Sequence, residues 1–371
     1  MKLLIALVSV GLALCAASPA VADETASSES APPAAAPSEL WTPEAPRPPY
    51  GIDVKRPVIG GACPQCVWGP LSEFVRDAMR PYGWDVQICY NCNLVWSPRM
   101  VAETRVPRPL SDEEIEVRDP PPPDAPVDFG VTETMMLQWA YKGVELYEDN
   151  RMDNLRLIAH IEDPGFLLIA AKKGSGITDL TQLRDRTEAL RILTDGGPWL
   201  RTVFEYYGIT EEQVVAKGGR FSNAMEHVNK DENFDLIVSS LASLGNNFEA
   251  NVWTEMSQKY DLVYFPIPQD LRDKMQEEWV DSVQVDLPYQ YFRGVEEPIP
   301  TIGRSGHGVI GRDDTPDEFA YAVAKAIDEQ SWRLKWFNRP YSIDRRTIWR
   351  NGDVPLHPGA ARYYREQGYI E

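Results

Sequence analysis

The chain has 371 residues, and its 56 acidic side chains against 37 basic ones leave a formal charge of −19. So acidic a surface excludes nucleic acid and anionic lipid as partners, because both need basic surface. The length suffices for one large or two medium cores.

Lys2 and the apolar run 3–17 have the form of an export signal, and Ala20, Val21 and Ala22 offer the small residues that a signal peptidase reads. Residues 1–22 are expected to be removed, which places the mature chain in the periplasm. No other stretch is long and apolar enough to span a bilayer, so no direct membrane insertion is expected after cleavage. Residues 23–50 are rich in Pro, Ala, Ser and Glu and read as a disordered tether.

A strand is predicted over 54–59, ending at Gly60 and Gly61. Pro70 opens a helix with Leu71, Phe74, Val75 and Ala78 on one face. Trp84, Val86 and Ile88 alternate with polar residues as a half-buried strand. A Pro-rich acidic tract within 105–127 reads as a solvated insertion. A strand over 129–131 leads to a helix over 134–147, and 155–161 and 166–171 are two further strands.

The same logic then repeats. A strand over 190–193 runs into a turn at Thr194, Asp195, Gly196 and Gly197, and Pro198 begins a helix that reaches Tyr207. Thr210 and Gln213 have the spacing of a capping box, Val214 and Val215 suggest a strand, and Ser222 caps a helix. Strands are predicted over 235–238, 262–265 and 302–310, with a helix near 248–260. Thr315, Pro316, Asp317 and Glu318 start a helix whose Phe319, Val323 and Ile327 face inward. Alternating strands and helices imply an α/β fold with mostly parallel sheets flanked by helices. Two such runs imply two lobes: 51–164 with 288–371, and 165–287.

Cys63 and Cys66 form one C-x2-C pair, and Cys89 and Cys92 form another. Three readings are open: disulfides, a four-sulfur site for zinc or copper, or a redox-active dithiol. Arg304 and His307 lie in a glycine-rich stretch, and an Arg fork suits a carboxylate. His160 with Glu162 is a further metal-ligand candidate, and His357 reads as structural. No nucleophile elbow, HExxH or phosphate-cradling loop is present, so no enzyme activity is expected.

Three late strings carry a resemblance: DLVYFPIP at 261–268, EPIPTIG at 297–303 and PLHPGAARYYRE at 355–366. With them, residues from about 52 to 368 resemble the TAXI family of solute receptors for TRAP-type transporters, which are similar to type II periplasmic binding proteins. The resemblance implies a two-lobed receptor that closes on a small, carboxylate-bearing molecule and delivers it to TRAP transporter membrane subunits, without a cofactor. It implies ligand contacts at Gly60, Gly61, Trp68, Thr132, Thr134, Thr194, Gly196, Gly197, Tyr289 and Tyr291, joined by Arg304. Hinges are expected near 163–166 and 287–292. Pro198 stands where the family has Ser or Thr, which removes one N–H donor. The competing reading is a sensor or metal carrier on the same fold, holding its ion at Cys63, Cys66, Cys89 and Cys92.

Overall fold

A computed structural model describes residues 51–62, 68–90, 92, 97–106, 125–148, 150–196, 200–224, 233–243, 251–279, 282–335, 345–350 and 352–371. The expected signal and tether lie outside these residues, as do 107–124 of the insertion, Cys63, Cys66 and Gly197. Among the described residues no helix is long and apolar enough to cross a membrane.

The first run is β1 (Val58–Gly60), α1 (Trp68–Met79), β2 (Gln87–Ile88), α2 (Ser97–Glu103), β3 (Phe129–Glu133) and α3 (Thr134–Lys142). Strand β1 lies between β2 and β3, parallel to both. Helix α1 buries Leu71, Phe74, Val75 and Ala78, as their helical spacing predicts. Next comes β4 (Leu155–Lys172), one strand of 18 residues where the sequence predicts two. Asp163, Pro164 and Gly165 look like a break. They fall where the neighbouring strand, β10 (Ile299–Arg312), shifts register between Arg304 and Gly306. A proline without an N–H disturbs a ladder least at such a bulge.

The second run is β5 (Arg191–Thr194), α4 (Leu200–Tyr207), α5 (Glu211–Ala216), β6 (Arg220–Asn223), β7 (Leu236–Ser243), α6 (Asn251–Lys259), β8 (Leu262–Phe265), α7 (Gln269–Glu278) and β9 (Ser282–Leu287). Strand β5 is parallel to β6 and β7. Val214 and Val215 lie in α5, not in a strand, because Thr210 and Gln213 close a reciprocal capping box that outweighs β-branching. Ser222 sits in β6 opposite Leu193, and the helix expected after it lies largely outside the described residues. After β10, α8 (Asp317–Glu329) buries Phe319, Val323 and Ile327, and α9 (Pro358–Glu366) packs beside it.

The described strands form one sheet in the order β2-β1-β3-β10-β4-β7-β5-β6, with β8 on β4 and β9 on β10. Its long members, β4 and β10, pass through both runs. Glu133, the last residue of β3, lies opposite His307, which lies opposite Ile161. Ser243, the last residue of β7, lies opposite Gly165. The carboxyl ends of the two parallel sets therefore point toward each other along β4. Four residues of strand separate them, roughly 13 Å at about 3.3 Å per residue. The return of the chain falls at 303–307 of β10. The sequence places it near 287–292, but those residues end β9 and turn back, because β9 pairs with β10 as an antiparallel neighbour.

Helices cover both faces. On one, α1, α8 and α9 bury Phe74, Phe319 and Tyr364 with Ile59, Phe129 and Val309. On the other, a single apolar cluster continues from Leu137 and Trp139 of α3 to Leu200 of α4, Leu271 of α7 and Trp279. A third cluster gathers Trp253 of α6 with Ile237 of β7. Leu167, Ile169 and Ala171 of β4 belong to the second cluster, and Phe166, Leu168 and Ala170 to the third, the alternation of a strand buried on both faces.

Candidate functional site

Ligands in parallel α/β sheets lie beyond the carboxyl ends of strands, so the two facing sets of ends define the candidate site. In the first set, Gly60 lies opposite Gly130, and Gly61 has a φ of +91°. A Cβ at Gly61 would come within 2.1 Å of the Val131 carbonyl oxygen, so glycine is required there by backbone packing. Trp68 opens α1 and donates its Nε1–H to Nδ1 of His307 at 2.9 Å, with the rings edge to face at 5.6 Å. Because Nδ1 accepts, the neutral His307 ring carries its proton on Nε2.

Thr132 is fully buried opposite Gly308. Glu133, also buried, is opposite His307, and Thr134 Oγ1 donates to the Gly306 carbonyl at 3.0 Å. Trp68, Glu133, Thr134 and His307, from distant parts of the sequence, thus meet where β10 passes the bulge of β4. The backbone of Arg304 pairs with Gly165 and Ser282, while its side chain and that of Glu162 lie outside the described residues.

In the second set, Thr194 Oγ1 accepts from the Gly196 N–H at 3.2 Å. Gly196 has a φ of +71° and would meet no atom within 4 Å of an added Cβ, so this turn faces open space. Asp195 Oδ2 accepts from the Ser240 N–H at 2.9 Å and from the Ser240 hydroxyl. That carboxylate ties the end of β5 to the buried end of β7. The sequence does not single out Glu133, Asp195 or Ser240. The available signal is positional: each is a polar residue directly following the apolar core of a parallel strand.

Other candidates stand apart. Tyr289 is 56% exposed on the turn after β9, and Tyr291 packs edge-on against Phe166 at 5.8 Å. Cys89 and Cys92 are joined by a disulfide, with Cα atoms 5.5 Å apart. Among the described residues no three His, Cys, Asp or Glu side chains cluster to hold a metal. His160 is buried in β4 with Nδ1 3.4 Å from the Thr347 carbonyl. His357 caps α9: Nδ1 accepts from the Gly359 N–H at 3.1 Å, and Nε2 donates to the Thr315 carbonyl at 2.8 Å. Burial pushes His357 below the ordinary histidine range, against the opposing pull of Thr315. A cavity of about 880 Å³, lined by Tyr264, Arg293 and Glu297 among others, adjoins the end of β4 that is remote from the strand-end site.

A family model described as the NMT1-like family matches residues 124–368. That span is most of the chain. The chain belongs to the NMT1-like family. The match takes in β3, both long strands and the Thr194 turn, and it leaves Gly60, Gly61, Trp68 and both cysteine pairs of this NMT1-like chain before its start. Two solved structures are similar to it at low level. One is a binding protein component of an ABC phosphonate transporter from Pseudomonas aeruginosa: 13% identity, 76% of this chain and 78% of that one, TM-score 0.38. The other is the periplasmic nitrate-binding protein NrtA from Synechocystis PCC 6803: 12% identity, 76% and 63% covered, TM-score 0.36.

Proposed function

We propose that this NMT1-like chain is an extracytoplasmic solute-binding receptor. It holds a small ligand between two lobes and presents it to a membrane transporter. The observation that carries this reading is the convergence of two sets of parallel-strand carboxyl ends on residues 161–165 of β4. Among the described strands β4 and β10 pass between the two sides, and both are irregular there, with register shifts at Arg304/Gly306 and at Phe166/Leu168. The two sets of ends stand roughly 13 Å apart along β4, which is the reach of a small ligand touching both.

The ligand carries a carboxylate in this reading. Helix α3 starts directly after the end of β3, and a helix start favours negative charge. Glu133 has no side-chain hydrogen bond capping the backbone at the start of α3. Glu133 and Asp195 are themselves acidic, so a basic group on the same ligand would meet them. The transporter is of the TRAP type, on the strength of the strings at 261–268, 297–303 and 355–366. Export by the signal at 1–22 places the receptor in the periplasm, and no reaction is catalysed.

The test is a thermal-shift and calorimetric screen of the purified mature chain. The panel holds small carboxylates with and without an amino group, together with neutral solutes. One ligand class is expected to bind saturably, raise Tm and shrink the radius of gyration in solution scattering. A chain that binds no member of the panel and never compacts is not this receptor.

A further inference from the structure

The Cys89–Cys92 disulfide brings a chemistry of its own, distinct from the hydrogen-bonding groups of the strand-end site. It lies just past β2, the edge strand, which pairs with β1 only through Gln87 and Ile88. Its two sulfurs differ in access. Cys92 belongs to the buried apolar cluster with Met100 and Val101 and has no exposed surface, while Cys89 is only part-buried beside exposed Tyr90.

A structural bridge stabilises mainly by closing a long loop, and this one closes a short ring, with two residues between its ends. The loop also has anchors that do not depend on sulfur. The Cys89 N–H donates to the Ile59 carbonyl at 3.0 Å, and Tyr90 Oη donates to Glu73 of α1 at 2.6 Å. These two bonds hold Cys89 and Tyr90 to β1 and α1 independently of the bridge. A part-buried cysteine joined to a fully buried one, with anchors that do not need the bridge, is an arrangement suited to reversible thiol–disulfide exchange.

We propose that Cys89–Cys92 is a redox-active disulfide, opened at Cys89 by an external dithiol of the thioredoxin class. The donor thiolate bonds to Cys89 Sγ, and the Cys89–Cys92 bond breaks. Its electron pair leaves on Cys92 Sγ, which takes up a proton. The donor's second thiolate then attacks its own sulfur in the mixed disulfide, and Cys89 leaves and is protonated. The donor loses two electrons, and the Cys89–Cys92 pair gains them.

The experiment uses the oxidised mature chain carrying Cys63→Ser and Cys66→Ser, so that only this pair reports. The chain without those substitutions is run alongside with peptide mapping, which keeps the test decisive if the double variant does not fold. After treatment with a reduced thioredoxin-type dithiol, maleimide labelling of the native protein should add one adduct, at Cys89, with an unchanged circular dichroism spectrum, and a second, at Cys92, only once the chain is denatured. A donor lacking its second cysteine should be caught as a mixed disulfide on Cys89. No labelling until the chain is denatured, capture on Cys92, or loss of the folded spectrum on reduction each overturns the proposal.

Discussion

The two facing rims of the candidate site are built differently. In the first, Trp68 reaches His307 across 239 positions of sequence and Thr134 reaches Gly306 across 172. In the second, Thr194 bonds Gly196 two residues away, and Asp195 bonds Ser240 across 45, between strands of one parallel set. The first rim forms only when the whole fold has closed and is then largely fixed, because its members are buried and cross-tied. The second can form with its own strands and presents an open turn at Gly196. A site assembled this way has one fixed side, the platform, and one more adaptable side, the jaw. The two are joined on one face, where Trp139 of α3 meets Trp279 just after α7 at 5.6 Å.

That junction is where the comparison breaks most readily. Trp279 is 2% exposed, donates its Nε1–H to Thr202 at 2.9 Å and lies under the Arg201 guanidinium at 5.5 Å. Trp279→Ala removes a buried aromatic from the cluster shared by both halves, and should cost about 3–5 kcal/mol in urea unfolding. It should also split a single unfolding transition into two, because α3 then loses its seat on α7. A cost below about 1 kcal/mol would mean that the two rims are not coupled through this face.

Trp68→Phe tests the rigid rim itself. The ring is kept and the donor is lost, which leaves Nδ1 of buried His307 without that bond. A cost of about 1–3 kcal/mol is expected in the same assay, with weaker ligand binding. An unchanged unfolding midpoint would show that the platform is not held by this contact.

Much of this was legible in the sequence, for physical reasons that differ by element. The inward face of α1 and that of α8 follow from 3.6-residue spacing alone, and both are buried as read. The capping box at Thr210 was also legible, but the valines after it argued for a strand, and local hydrogen bonding decided the matter. The continuity of β4 through Pro164 was not legible, because it depends on pairing with β10, about 140 residues away in the chain, opposite which β4 carries an extra residue that accommodates the missing donor. The site divides along the same line. Thr194 and Gly196 could be read from a turn, whereas the bond from Trp68 to His307 and the one from Asp195 to Ser240 are products of register.

Acid should affect the platform before the jaw. His160, His307 and His357 are buried in the first half or in the helices that cover it, and the described residues of the second half hold no histidine. For His357 the sign is fixed by its surroundings: burial holds its folded-state pKa below the unfolded value, about 6.5. Its neutral form is the one the fold accommodates, so its contribution is complete above about pH 6.5 and is lost as pH falls through the folded value. One such group gives a slope of at most about 1.4 kcal/mol per pH unit. Hydrogen exchange followed downward from about pH 8 should show amides of α8 and α9 opening before those of β5 and α5, and His357→Asn should reduce the difference. Simultaneous loss of protection in both halves would remove the asymmetry.

The smallest effect belongs to the jaw. Ser240→Ala deletes one of two donors to Asp195 Oδ2 and keeps the backbone N–H at 2.9 Å. The substitution is nearly isosteric at a residue that is 3% exposed, so little packing is lost. Stability should fall by about 1 kcal/mol, near the usual contribution of one hydrogen bond. Binding should respond differently. Asp195 Oδ2 is then held by one donor fewer, so affinity for a ligand bearing a basic group should change more than unfolding does. Calorimetry on the variant and the parent chain measures both quantities. A locally tied rim tolerates losing one tie because its neighbours on β5 and β7 still hold the register. If Ser240→Ala proves more damaging to stability than Trp68→Phe, the assignment is inverted, and the turn at Thr194 is the fixed side of the site.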